Sequence, residues 1–165
     1  MDEGLIRAGG LSAYRPEEVE ALQGHPAFRG VQVPFNIFDH ALSQQGRLDA
    51  LHRDGVFVFV RSVFLKGLLL ADPDELPAGL ADARAPLIRL RALARQAGMS
   101  VAEAAFSYVR HREGVGSLVV GADTPDQLRE NIRLLDIPPL PTDIVAAIEN
   151  EFGQIPEHII IPGLW

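Results

Sequence analysis

Cysteine is absent from this 165-residue chain, and tryptophan occurs only once. Without cysteine there is no disulfide framework, no thiolate metal ligand and no thiol nucleophile, and a reducing cytoplasmic location is the simplest expectation. Positive charge is also scarce. Fifteen Lys and Arg face 22 Asp and Glu, a formal charge of −7, and no basic run is present, so nucleic acid and anionic membrane surfaces are not expected partners. No apolar run reaches the length of about 18 residues that spans a bilayer. The acidic start MDEGLIRAGG lacks the apolar stretch of a signal peptide. The five histidines, His25, His40, His52, His111 and His158, are scattered without ligand spacing, so no metal site is expected. No serine sits in a nucleophile-elbow pattern.

What is present is the composition of an ordinary globular domain, 47% hydrophobic and 22% charged, long enough to bury a core. Its most informative stretch is Ser117 to Asn131, SLVVGADTPDQLREN. Four residues of apolar, β-branched character end at Gly121, as a buried parallel strand would. Thr124 is placed as an N-cap, Pro125 suits the first helical position, and Gln127 completes a capping-box pattern. A strand that feeds a helix N-terminus through a short loop points free N–H groups and a positive dipole end outward, which is an anion site in waiting.

The rest of the chain repeats that unit. Strands are expected over Leu5 to Ser12, Gly30 to Phe35 and Val56 to Val60, the last buried on both faces. Helices are expected over Pro16 to Gln23, Gln44 to Asp54, Ala85 to Gln96, Ser100 to His111, Thr124 to Leu134 and Thr142 to Phe152. An apolar tail, Ile155 to Trp165, closes the chain. Alternation of strand and helix means α/β with a parallel sheet and right-handed crossovers. No glycine fingerprint of the dinucleotide-binding type follows any strand, which ranks a barrel-type arrangement above a doubly wound sheet, although periodicity leaves both open.

The order IRAGGLSAY, VQVPFNIFD, VFVFVRSVFLKGLL and MSVAEAAFSYVRHREGVGSLVVGADTPDQLRENI resembles the C-terminal half of aldo-keto reductases, which reduce aldehydes and ketones with NADPH on a TIM (β/α)8 barrel. The resemblance implies that residues 1–165 are a single partial domain, a half barrel holding strands five to eight, with a C-terminal helix and tail over 141–165. It further implies a nicotinamide nucleotide, NADP(H) with NAD(H) possible. Ser12 then meets the nicotinamide carboxamide, Gln32 faces the same ring from the next strand, and Arg61 stands where the family usually stacks a tyrosine on it. Ser62, Phe64 and Gly67 fall in the loop over the pyrophosphate, while Gly121, Ala122, Gln127, Glu130 and Asn131 match positions that hold the adenosine end. There are departures. Ala13 replaces an asparagine, SVFLKG differs from the usual loop, and Asp123 stands near the 2′-phosphate, where a carboxylate favours NADH.

The family's Asp, Tyr, Lys and His catalytic tetrad belongs to the first four strands, and none of its motifs occurs here. Lys66, the single lysine, maps to the cofactor loop. Tyr14 lies in a β-α loop, and Tyr108 lies in a helix with a packing register. No catalytic residue is therefore assigned, and the chain is expected to be inactive alone, with the missing half upstream. Asp39 beside His40 has the composition of an acid-base pair, but a structural aspartate is the stronger expectation. The competing reading is a non-enzymatic nucleotide-binding or assembly module. A half barrel leaves two sheet edges open, which predicts self-association or pairing with an N-terminal half barrel.

Overall fold

Valine and phenylalanine alternate along Val58, Phe59 and Val60, and the alternation decides how the sheet is covered. In the computed structural model, which describes residues 4–21, 24–25 and 27–165, four strands run parallel: β1 (Gly9–Ser12), β2 (Phe28–Pro34), β3 (Phe57–Arg61) and β4 (Ser117–Val119). Their spatial order is β1-β2-β3-β4. Sequential neighbours throughout, with no reversal of order, make the arrangement of a barrel segment rather than of a doubly wound sheet.

Helices cover one face only. Val31, Val33, Val58 and Val60 turn toward them and are buried, whereas Phe57 and Phe59, pointing the other way, stay 47% and 40% exposed. The expectation that β3 is buried on both faces is therefore wrong. Four strands do not close on themselves, so the face that would line a barrel interior has none of the described residues opposite it. The core lies between sheet and helices. Leu48 and Leu51 of α2 (Arg47–Arg53), Leu87 and Leu90 of α3 (Arg84–Gln96), Phe106 and Val109 of α4 (Val101–Arg110) and Ile148 of α6 (Thr142–Glu151) fill it.

Several boundaries move from their expected places for identifiable reasons. β1 begins at Gly9 rather than Leu5, and Leu5 and Ile6 are exposed, because β2 starts at Phe28 and offers no earlier partner. The second helix begins at Arg47 rather than Gln44. Gln45 and Gly46 take left-handed φ values of 57° and 68°, which end a short 3₁₀ segment (Ala41–Gly46) before α2 can start. The first helix, α1, covers Pro16–Glu20; its expected end at Gln23 lies outside the described residues, as do Met1–Glu3. β4 stops one residue early, at Val119.

The helix starts follow their caps closely. Ser100 Oγ accepts from the Glu103 N–H at 3.2 Å and Glu103 accepts from the Ser100 N–H at 2.7 Å, the reciprocal box expected there. At α5 (Pro125–Arg133), Thr124 accepts from the Gln127 N–H, but Gln127 Oε1 reaches past Thr124 to the Asp123 N–H at 2.6 Å. The second arm of that box thus braces the loop rather than the cap. The tail forms α7 (Glu157–Ile160) with Ile159 buried, and the Trp165 indole N–H donates to the His158 carbonyl at 3.1 Å.

A glycine sets the spacing of the edge strand. A Cβ on Gly10 would sit 2.7 Å from the Gly30 carbonyl oxygen, whereas one on Gly9 would meet nothing closer than 3.6 Å. Gly10→Ala is expected to destabilise the chain by roughly 1–3 kcal/mol in urea unfolding, and Gly9→Ala by much less; equal effects would contradict this packing.

Candidate functional site

Parallel pairing in register stacks side chains in levels along the open face. Ser12, Gln32, Phe59 and Ser117 are mutual neighbours across the four strands, and Pro34, Arg61 and Val119 form the level above, at the C-terminal ends. Ala13 is buried on the helix side, so Tyr14 returns to the open face above Ser12. Ser12 Oγ donates to Gln32 Oε1 at 3.1 Å, which leaves the Gln32 amide N–H groups free to donate elsewhere.

Arg61 reaches across β2 to Tyr14. Its guanidinium carbon lies 4.2 Å from the Tyr14 ring centre, Nη1 donates to Ser62 Oγ at 3.4 Å, and Nη2 is buried without a hydrogen-bond partner. Tyr14 is held in turn by Glu18, whose carboxylate accepts from the Tyr14 and Arg15 N–H groups at 2.6 and 3.1 Å. Those two bonds keep the Glu18 carboxyl below its ordinary pKa.

The chain leaves β3 through a strained loop. Ser62, Leu65 and Lys66 have positive φ values of 63°, 49° and 51°, and Gly67 follows at 87°. Three non-glycine residues in this region within five positions are costly and persist only where the surroundings enforce them. One enforcing contact is Asn36, fully buried, which donates to the Ser62 carbonyl at 3.2 Å and accepts from the Phe38 and Asp39 N–H groups.

This loop forms one wall of a cleft of about 700 Å³, and the segment after β4 forms the other. Ser62, Phe64 and Gly67 face Gly121, Gln127, Glu130 and Asn131 across it, so seven of the residues singled out from sequence come together; Ala122 sits between lining residues Gly121 and Asp123. Asn131 donates to the Gly121 carbonyl at 3.2 Å and ties α5 back to the loop. Among the described residues nothing lies within 4 Å of where a Cβ on Gly121 would sit. Ser12, Gln32 and Arg61 are grouped beside this cleft rather than in its wall. Arg61 shares the paired level of Val119, but its guanidinium is turned toward β1, away from the Gly121 loop.

The Aldo/keto reductase family profile matches residues 1–151. The chain belongs to that family. L-glyceraldehyde 3-phosphate reductases of Escherichia coli O157:H7 and K12 are 28% and 26% identical to it, each over 91% of this chain and 48% of their own length. Among solved structures, an aldo-keto reductase of Bacillus halodurans in its holo form superposes with a TM-score of 0.74 at 23% identity, covering 96% of this chain and 55% of the other. A glycerol dehydrogenase of Gluconobacter oxydans gives 0.69 at 21%, covering 98% and 52%. The chain thus spans about half the length of its relatives, and its α/β fold is that of a partial family barrel.

Two features of the site escaped the sequence reading. The Tyr14–Arg61 stack was invisible because the residues are 47 apart in the chain, although Tyr14 follows Ser12 with the strand period of two. The second is the raised carboxyl of Asp39, a residue weighed beside His40 in the sequence, which lies half-buried in the loop after β2. Burial pushes its carboxyl up to about 6, opposed by the Ala41 N–H and the Arg61 charge. Tyr108 is a core residue, as its register implied, stacked on Phe35 with ring centres 5.9 Å apart.

Because the folded carboxyl of Asp39 titrates above its unfolded value, the fold favours the protonated form. Stability is expected to fall as pH rises from about 4 to about 6, by roughly 1–3 kcal/mol, and to level off above. Asp39→Asn should flatten that slope in thermal unfolding across pH; an unchanged slope would place the proton elsewhere.

Proposed function

We propose that this chain is the cofactor-binding half of an NAD(P)H-dependent aldo-keto reductase that reduces an aldehyde, ketone or sugar-type carbonyl. The observation that carries the reading is the cleft between the strained 62–67 loop and the Gly121–Asn131 segment, adjoining the Ser12–Gln32 pair. The residues fit a nicotinamide nucleotide on two counts. Gly121 leaves open space beside exposed backbone at the start of α5, and the orphaned Arg61 Nη2 is a buried donor in want of an acceptor.

In this reading Ser12 and Gln32 orient the nicotinamide carboxamide with one hydroxyl and one amide. Ser62 and the Gly121 loop hold the diphosphate, while Gln127, Glu130 and Asn131 border the adenosine end. The nucleotide supplies a hydride when bound. The proton that completes carbonyl reduction has no donor among the residues assigned here and belongs to the half barrel of strands one to four. That half also supplies the strands that pair with β1 and β4, whose outer edges are open, and it covers Phe57 and Phe59. The relatives that reduce L-glyceraldehyde 3-phosphate make a small aldehyde a reasonable first substrate to try.

Fluorescence titration of the chain with NADPH and NADH is expected to show saturable binding without carbonyl-dependent oxidation; absence of any nucleotide binding would overturn the reading. Asp123, exposed in the cleft wall, should repel a 2′-phosphate, so Asp123→Ser is expected to improve NADPH affinity about three- to fivefold relative to NADH. With its edges unpaired, the isolated chain should self-associate; a monodisperse monomer in analytical ultracentrifugation would contradict the edge argument.

A further inference from the structure

Arg61 brings a positive charge to the open face, its guanidinium carbon 4.2 Å from the centre of the Tyr14 ring. No carboxylate of the described residues forms an ion pair with it. Asp39 feels its charge without bonding to it, and Nη2 has no acceptor. A guanidinium left so is expensive where packing alone is required, since a neutral side chain of similar shape would fill the space without the desolvation penalty. The contact with Tyr14, guanidinium carbon to ring centre 4.2 Å, shows that the group takes up a position over an aromatic ring.

We infer that Arg61 sets the redox-state selectivity of the nucleotide site: its fixed charge admits the neutral dihydronicotinamide ring and disfavours the positively charged oxidised ring. The inference rests on the nucleotide reading above, with the nicotinamide end beside Ser12 and Gln32. A guanidinium stays protonated at every accessible pH, so the discrimination is permanent. Two positive groups about 4 Å apart lower affinity by about fivefold at the dielectric of water and several hundredfold at that of a protein surface. With Tyr14 exposed and Asp39 nearby, an effect of about tenfold is expected. The chemical outcome is a site that loads with the reduced nucleotide and releases the oxidised one after hydride has left.

The test compares affinities of the 165-residue chain for NADPH, NADP⁺ and ADP-ribose in the wild type, Arg61→Gln and Arg61→Lys. NADPH and NADP⁺ share every group outside the ring, so their affinity ratio isolates the ring's charge. Expected is a preference for NADPH that falls about tenfold in Arg61→Gln and is kept within about twofold in Arg61→Lys, with ADP-ribose affinity unchanged throughout. A ratio that stays the same in Arg61→Gln while ADP-ribose still binds overturns the inference and leaves the nucleotide reading intact. If the wild type binds none of the three ligands, the nucleotide reading falls and the inference falls with it.

Discussion

Parallel pairing, in register from Gly10 onward along β1 and throughout β2 to β4, puts Ser12, Gln32, Phe59 and Ser117 side by side, and Arg61 beside Pro34 and Val119 one level higher. These positions are far apart in sequence, from 12 to 119, and the Ser12–Gln32 hydrogen bond joins only two of them. The backbone ladder aligns them all, because a parallel sheet repeats every two residues on a face and each strand repeats its neighbour's phase. A slip of one residue in any strand would turn that strand's polar groups into the helix layer and its valines outward. The functional level is thus held by the same burial of Val31, Val33, Val58 and Val60 that holds the sheet to its helices.

Above the sheet, precision comes from side chains acting on backbone. Asn36 fastens the end of β2 to Ser62, Glu18 fixes the turn that carries Tyr14, and Asn131 and Gln127 brace the loop between β4 and α5. Each replaces a missing main-chain partner with an amide or carboxylate, the usual way an irregular segment satisfies its donors and acceptors. The left-handed residues Ser62, Leu65, Lys66 and Gly67 are then tolerated because both ends of the loop are pinned: Asn36 holds the first, and Leu65, Leu68 and Leu69 bury the second.

Much of this was legible in the sequence. The four strands were readable because β-α punctuation is strong here: Ser100 and Thr124 mark helix starts, Gly55 and Gly98 mark ends, and the VFVFV run is strand-like in any context; their order and the family came from the resemblance of four segments to aldo-keto reductases. Four of the seven cleft residues, Gly121, Gln127, Glu130 and Asn131, were named from the motif GADTPDQLREN on α5 and its loop, and the other three, Ser62, Phe64 and Gly67, from the segment after β3 that resembles the family's cofactor loop. Illegible was whatever depends on distance through space. The apolar β3 run looks doubly buried until the number of strands is counted against closure, and the path of Gln127 to Asp123 rather than Thr124 is a choice of rotamer that spacing does not settle. The direction in which Arg61 turns belongs to the same class, being set by Tyr14 across the sheet.

Strand β3 shows what an open face means for the way such a chain tolerates change. Val58 and Val60 are locked among helices, while Phe57 and Phe59 lean on one another with ring centres 4.7 Å apart and on the glycines Gly116 and Gly30, leaving 47% and 40% of their surface exposed. Alternate letters of a single five-residue word thereby answer to different demands: one set is fixed by the packing that holds the sheet to its helices, the other stands outside it. Change at the phenylalanines leaves that packing in place.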